Sequence, residues 1–555
     1  MRSSLLPLLC LLVITGRARS QYLPDSTQRK IDAIFERWNQ PGSPGCAVGI
    51  VRNDTLLFAK GYGMANLEYD VPITPASIFH VASVSKQFTG YAMVLLARQG
   101  KLGLDDDVRR YLPWFPDLGA TITIRHLLNH TSGIRDQWQL LATAGTRLDD
   151  VITQEQIIKV LSRQRALNSP PGERYNYCNS GYTMMAEIVK SITGQTLRQF
   201  MDSAVFRPLD MEDTHFHDEY AEVVKNRAYS YRREGGNGFA NVALSYSNTG
   251  ATSLFTTVND LARWTMNFYT PKAGDEKDIT QLTEKGKLNN GRVIDYALGI
   301  GNSTYRGWQQ LGHSGADAGF RTIILVYPEL KMGFIVLANL GDLNPGARAE
   351  KLMEMFVPDK KPKKAPGAKP DSSGAVLANA DAVKKFEGNY ISDEGTRIQF
   401  RLRNNKLYAD AYGRSDLLKA EKGTFSTLGA PGVKFVFNIP RSGDTTVFVT
   451  YAPGETALLR KYGAVPETDA FLQAYAGKYY CPELDCSYGF AVKDNKLVLT
   501  SSKYEDSPLK FEGPDHLLSD HWWMEHLRVI RNAGGEITGF EVNDGRVLGL
   551  KFVKM

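Results

Sequence analysis

The stretch Phe79-His80-Val81-Ala82-Ser83-Val84-Ser85-Lys86-Gln87-Phe88-Thr89 carries a hydroxyl and an amine three residues apart, at Ser83 and Lys86. Apolar side chains follow at Phe88, Tyr91, Ala92, Leu95 and Leu96, and Gly100 supplies a stop, so the spacing predicts a helix over about 84–99. Positions three apart share a helix face, which lets Lys86 reach Ser83. Ser83 then stands at the helix N-terminus, where unpaired backbone N–H groups favour developing negative charge. A serine, a base and an anion-stabilising backbone in one place are the parts of an acyl-transfer nucleophile. Spacing alone does not decide the matter, because Ser507-Pro508-Leu509-Lys510 repeats it in a stretch that reads as strand and turn.

What sets Ser83 apart is the company downstream. After a Pro170-Pro171-Gly172 break, a polar loop holds Tyr177-Cys178-Asn179. A tyrosine hydroxyl serves as general base or acid if nearby cations lower its pKa from about 10. The Asn179 amide can donate to a substrate carbonyl and orient a lysine. Gly312-His313-Ser314-Gly315-Ala316 precedes a strand expected from Thr322, and its small residues let a substrate backbone approach the strand edge.

Together these motifs resemble the penicillin-recognising serine hydrolases: class C β-lactamases, D-alanyl-D-alanine peptidases, D-aminopeptidases and related esterases. The resemblance spans roughly residues 24–357 and includes Gly61-Tyr62-Gly63, the run Ile124 to Gly133 (IRHLLNHTSG) and the run Phe255 to Ala262 (FTTVNDLA). It implies an α/β (α+β) catalytic domain with an antiparallel sheet flanked by helices. Carried over residue by residue, it makes Ser83 the nucleophile, with Lys86 and Tyr177 sharing the proton. Asn179 would hold the substrate amide, and the Ser83 and Ala316 backbone N–H groups would form the oxyanion hole, with His313 and Gly315 on the substrate side. No cofactor and no metal are implied.

One departure bears on substrate. Many relatives carry Lys where this chain has His313, and a lysine is a permanent cation suited to a substrate carboxylate. Histidine is mostly neutral at pH 7, which argues against strong penicillinase or carboxypeptidase action. D-aminopeptidases are similar to this chain in having His-x-Gly and two β-barrels after the catalytic domain. The reading is therefore a peptidase or amidase acting near a free amino end, D-residues included. Esterase, weak β-lactamase or DD-carboxypeptidase action, and a non-catalytic binding homologue are the alternatives.

The rest of the chain frames this body. Its 555 residues exceed one core. Residues 1–20 read as a secretory signal: Arg2, an apolar run from Leu5 to Ile14, then Ala18-Arg19-Ser20 before Gln21. The expected location is secreted or periplasmic, with no membrane span in the mature chain. The net charge of +6 is misleading: three charges sit on Arg2, Arg17 and Arg19, and residues 358–372, with five Lys and two Asp, carry three more. A neutral folded body offers no footprint for nucleic acid, leaving a small-molecule or short-peptide substrate as the expected partner.

The domains predicted are 21–357 (hydrolase), 358–380 (linker rich in Lys and Pro), and two small antiparallel β-barrels at 381–463 and 464–555. The barrels are inferred from a repeat. Phe386-Glu387-Gly388-Asn389-Tyr390 returns as Tyr475-Ala476-Gly477-Lys478-Tyr479, and Asn404-Asn405-Lys406-Leu407 as Asp494-Asn495-Lys496-Leu497. Packing, homo-oligomerisation or a pocket-shaping loop are the roles open to them. Cys481 and Cys486 bracket a turn that a disulfide could close, and the spacing leaves open whether Cys46 and Cys178 pair. His126 and His130 have zinc-like spacing without the Glu of a metalloprotease, so a structural role is expected. His215-x-His217, Asp520-His521 and Glu525-His526 read as isolated, and Trp522-Trp523 as barrel core.

Overall fold

The structure is a computed structural model. It describes residues 23–236, 238–360 and 383–555, the last without 412, 422, 428–432, 441–443 and 453–454. The expected signal peptide and most of the expected linker lie outside the described residues.

In chain order the hydrolase domain is built from α1 (Asp25–Phe35), β1 (Cys46–Arg52), β2 (Thr55–Tyr62), α2 (Ser85–Arg98), α3 (Gln137–Thr143), α4 (Ser180–Thr193) and α5 (Val258–Asn267). It ends with β3 (Gly301–Tyr305), β4 (Trp308–Asp317), β5 (Phe320–Tyr327), β6 (Met332–Ala338) and α6 (Pro345–Phe356). The strands form one sheet in the order β3-β4-β5-β6-β1-β2, every neighbour antiparallel. Strands from the two ends of the segment meet where β1 pairs β6.

Period-two burial explains the layers. Val48, Ile50, Phe334 and Val336 join Ile31, Phe35 and Leu352 in one core, under α1 and α6. Ala47, Val51, Ile335 and Leu337 face the other core with Val258 and Leu261 of α5. Gly49 is needed there because a Cβ would lie 2.5 Å from Val258 Cγ1. Behind α5, helix α2 is buried on all sides from Ser85 to Leu96, the pattern of a helix in the middle of a large core.

The repeat becomes two β domains. Eight strands between Gly388 and Tyr462 close into a barrel, and nine strands between Gly477 and Lys554 form a barrel-like sheet. The two edge strands of that sheet, Ser507–Pro508 and Lys510–Phe511, are consecutive in the chain, so its ends come round to one another. Both copies turn their second hairpin through two residues at positive φ, Asn404-Asn405 (50° and 59°) and Asp494-Asn495 (49° and 59°), the backbone of a two-residue hairpin loop whose twist matches its strands. In both, a tyrosine hydroxyl donates to the carbonyl four residues back: Tyr390 to Phe386 at 3.1 Å and Tyr479 to Tyr475 at 2.6 Å.

Four cysteines, Cys46, Cys178, Cys481 and Cys486, are free thiols. Cys46 and Cys178 sit in different cores. Cys481 and Cys486 oppose one another across the hairpin that a disulfide could close, and the Cys486 thiol donates to Thr143 O at 3.4 Å. Among the described residues no helix is long and apolar enough to cross a membrane.

Candidate active site

Ser83 lies in a 3-10 turn, Ala82–Val84, that runs directly into α2. The turn is held from three sides. Val81 N donates to Leu254 O at 3.0 Å, Thr322 Oγ1 to Val81 O at 2.9 Å, and Ser85 Oγ to Ala82 O at 2.6 Å. Ala82 is forced to φ 48°, an uncommon conformation for a residue with a Cβ. Gly315 makes this approach possible, since a Cβ there would lie 2.3 Å from Val81 O. Strand β4 is thus pressed against the serine turn.

The edge of β4 facing the cleft is open. The β3 strand pairs only Trp308 to Gly312, so His313 to Asp317 have a partner on the β5 side alone. Sequence analysis did not anticipate a strand here, because Trp308-Gln309-Gln310-Leu311-Gly312-His313-Ser314-Gly315 has no apolar alternation.

Lys86 is fully buried and its ammonium donates to three oxygens: Ser83 Oγ at 3.0 Å, Asn179 Oδ1 at 2.8 Å and Ala251 O at 2.7 Å. Burial disfavours the charged amine and, despite the opposing pull of Asp317 and Asp136, lowers its pKa to about 7. A neutral amine keeps two N–H bonds, which suit Asn179 and Ala251, and turns its lone pair to the Ser83 hydroxyl.

Asn179 is fixed from its other side by Asp136, which sequence reasoning missed. The Asp136 carboxylate accepts from Asn179 N at 2.7 Å and from Nδ2 at 2.8 Å, while capping α3 through Trp138 N at 3.0 Å. The side-chain bond uses one of the two Nδ2 hydrogens, leaving one for a substrate carbonyl.

The Tyr177 ring lies 5.0 Å from Lys86 Nζ, and its phenol interacts with the Ser83 hydroxyl. The sequence expectation was a phenol acidified by neighbouring cations. Instead, desolvation pushes its pKa well up, outweighing the Ser83 bond and the Arg546 charge. Tyr177 therefore stays protonated, and Lys86 is the group of the pair that reaches its neutral, basic form near pH 7.

His313 donates from Nδ1 to Ser314 O at 2.6 Å and meets Tyr296 Oη through Nε2 at 2.9 Å. A carbonyl can only accept, so Nδ1 carries the proton and Nε2 accepts from the phenol. Burial and the Lys86 charge lower the His313 pKa to about 4, which keeps the ring neutral at pH 7. Tyr296, and His130 at 4.1 Å between ring centroids from Tyr177, wall the site with aromatic surface. The His130 Nδ1 accepts from Cys178 N at 3.0 Å, and the His126 Nδ1 accepts from Thr123 N at 3.2 Å. Both histidines act structurally, with no bond to each other.

His215 and His217, read as isolated, come with Glu222 within 4.8 Å of one another, but Arg198 already grips both oxygens of Glu222 at 2.6 and 2.8 Å. Ser507 and Lys510 lie on the two short edge strands of the second β domain, far along the chain from any Tyr-x-Asn partner.

The second β domain reaches the site. Its last hairpin, β7 (Ile537–Asp544) and β8 (Val547–Lys554), turns at Gly545-Arg546 over the hydrolase domain. Gln139 Nε2 donates to Asp544 O at 3.0 Å, Arg546 N to Gln139 Oε1 at 2.8 Å, and Asn168 Nδ2 to Arg546 O at 2.8 Å. The buried Arg135 guanidinium donates to Leu548 O, Gly549 O and Glu483 Oε2 at 2.9, 2.9 and 2.6 Å. A cleft of about 1000 Å³ opens between the domains, lined by Ala316, Asp317, Tyr246, Arg546 and Trp522. Trp522 was expected in a barrel core. It is half exposed on this cleft instead, while its neighbour Trp523 packs on Tyr504 and His521.

Comparison with known proteins agrees with this fold. A family model described as Beta-lactamase matches residues 31–354. Penicillin-binding protein 4* of Bacillus subtilis (strain 168) is 25% identical over 452 residues, covering 78% of this chain and 98% of the relative. Protein flp of Staphylococcus aureus (strain N315) is 29% identical over 328 residues, 57% of this chain and 64% of its own length. Among solved structures, an octameric penicillin-binding protein homologue from Pyrococcus abyssi matches 87% of this chain and 98% of its own, with a TM-score of 0.52 and 21% identity. The D-amino acid amidase of Ochrobactrum anthropi SV3, complexed with D-phenylalanine, matches 59% of this chain and 98% of its own, with a TM-score of 0.51 and 20% identity. At these identities the two structures establish the fold.

Proposed function

Because the chain belongs to the Beta-lactamase family of penicillin-recognising serine hydrolases, we propose that it hydrolyses amide bonds through an acyl-enzyme on Ser83, after export directed by residues 1–20. The observation that carries this reading is the 3.0 Å contact between the buried Lys86 amine and the Ser83 hydroxyl. Neutral Lys86 takes the hydroxyl proton as Ser83 Oγ attacks the carbonyl carbon. The oxyanion forms between the backbone N–H groups of Ser83 and Ala316, where each donor is typically worth about 3 kcal/mol of barrier. The protonated Tyr177 passes its proton to the leaving nitrogen and is reprotonated from Lys86. Water, deprotonated along the same path, then releases the acyl group and restores Ser83.

A short peptide fits the open edge of β4 as an added strand. The neutral His313 leaves that edge without the cation a penicillinase or carboxypeptidase uses for its carboxylate, which favours a peptidase or amidase acting near a free amino end, D-residues included. The amidase from Ochrobactrum anthropi shares the fold and lends this preference a precedent. Ester cleavage is the second reading, since esters pass through the same tetrahedral intermediate at the same groups. Assembly into homo-oligomers belongs to the proposal as well, and one structural relative is octameric.

Labelling with a fluorophosphonate, with Ser83→Ala as control, tests the nucleophile; absence of an adduct on the wild type would leave a binding protein. A panel of D- and L-aminoacyl anilides, p-nitrophenyl esters and a chromogenic cephalosporin then ranks the activities. Preference for the cephalosporin would overturn the reading of His313.

A further inference from the structure

We propose that Arg546, supplied by the second β domain, is a substrate-binding residue that takes a carboxylate carried by the substrate. The proposal rests on the hydrolase reading for the presence of a substrate in this cleft, and it adds the chemistry of that substrate: a short peptide with a free carboxyl end in preference to a simple amide.

Three observations carry it. First, the backbone of Arg546 is fixed to the hydrolase domain at both its N–H and its carbonyl, by Gln139, Asn168 and Asp136. The turn is built into the site and does not merely lie across it. Second, the guanidinium is stacked 4.9 Å above the ring of Tyr177, whose phenol interacts with Ser83, with its side chain 45% exposed to the cleft.

Third, among the described residues the guanidinium makes no hydrogen bond. Its nearest carboxylate is Asp136 Oδ2, 3.9 Å away and already holding Asn179. The other arginines of the cleft are committed: Arg147 to Asp149 at 2.5 Å, Arg232 to Glu234 at 3.1 Å, and Arg321 to the carbonyls of Ala318 and Phe320 at 3.0 and 2.7 Å. The cleft's remaining carboxylates are occupied too, Asp317 by His80 and Thr252, and Asp544 by Glu525 N. A planar cation with five donors, stacked and holding only a long 3.9 Å ion pair to Asp136, is preorganised for a carboxylate.

The test uses the full chain with Ser83→Ala, so that ligands bind without turnover. Calorimetry compares D-alanyl-glycyl-glycine with its C-terminal amide. With Arg546 present, the acid should bind at least about ten-fold more tightly than the amide. Arg546→Gln should bring that ratio to about one, and Arg546→Lys should restore part of it, because a lysine keeps the charge without the fork. The anchoring bonds of this turn are made by the backbone, so side-chain replacement leaves them in place, and melting curves check that each variant is folded. A ratio near one in the parent, a ratio untouched by Arg546→Gln, or no binding of the acid with Kd below about 10 mM each overturns the proposal. Fluorophosphonate labelling of Ser83 separately decides the hydrolase reading.

Discussion

The Asp136 carboxylate holds Asn179 by two bonds, 2.7 Å from its backbone N and 2.8 Å from Nδ2, and thereby aims Oδ1 at the Lys86 amine. The charge of Asp136 also raises the Lys86 pKa against the larger effect of burial. Asp136→Asn removes that charge and sets an amide donor against the donors of Asn179. The expected outcome is a loss of about ten- to a hundred-fold in kcat/KM, with the rising, acidic limb of the pH profile moved to lower pH. A role confined to capping α3 would lower the rate without moving the limb, so the pH profile of the variant distinguishes the two.

With its pKa lowered to about 7, Lys86 is largely protonated at pH 6 and largely neutral at pH 8. Only the neutral amine accepts the Ser83 proton, so kcat/KM for a neutral substrate should rise with pH, with a midpoint near 7, and then level off. The same shift affects stability. A lysine whose folded pKa lies below its unfolded value binds fewer protons when folded, so its contribution increases with pH between about 7 and 10.5. Lys86→Arg, whose guanidinium stays charged, should cost about 100- to 10,000-fold in kcat/KM at every pH. A flat profile for the parent enzyme would remove Lys86 from the role of base.

Gly315→Ala places a methyl group 2.3 Å from Val81 O and 2.5 Å from Thr322 Oγ1. Neither neighbour yields easily, since the Thr322 hydroxyl itself holds Val81 O. Strand β4 must shift away from the serine turn, parting Ala316 from Ser83. Overpacking of this kind costs about 1–3 kcal/mol of stability, measurable by urea unfolding. Activity should fall by more than the unfolded fraction explains, because the damage is at the proposed oxyanion site.

The parts of this architecture that were legible in the sequence are those with a local physical signature. The helix expected over about 84–99 became α2, the strand expected from Thr322 became β5, and the repeated Gly-x-Tyr and Asn-Lys-Leu became the two β domains. The Ser83, Lys86, Tyr177 and Asn179 quartet was readable because each belongs to a short motif. Other features depend on tertiary placement alone. Asp136 sits in an unremarkable loop and matters only because folding brings it to Asn179. Arg546 follows an ordinary Asp-Gly hairpin turn, and nothing within that hairpin shows that it meets the hydrolase domain. The raised pKa of Tyr177 and the lowered pKa of Lys86 are consequences of burial, which a motif does not reveal. Trp522 was misplaced for the related reason that an aromatic pair carries no sign of which ring faces the core.

The contact between Arg135 and Glu483 supports the domain arrangement on which the cleft depends. Arg135 is fully buried, and Glu483, 9% exposed, accepts from Nη1 at 2.6 Å and from Arg165 N at 3.1 Å. Removing the acid by Glu483→Ala leaves a buried guanidinium with only carbonyl partners, and breaking such a pair typically costs about 3–5 kcal/mol. Arg135 directly precedes Asp136, and its other donors hold Leu548 and Gly549 beside the Arg546 turn. The loss should therefore appear twice: as a lowered midpoint in chemical denaturation, and as weaker carboxylate-over-amide discrimination in conditions where the variant is folded. A variant that loses stability but keeps its discrimination would show that the Gln139 and Asn168 bonds suffice to hold the turn, and that Glu483 serves only to dock the second β domain.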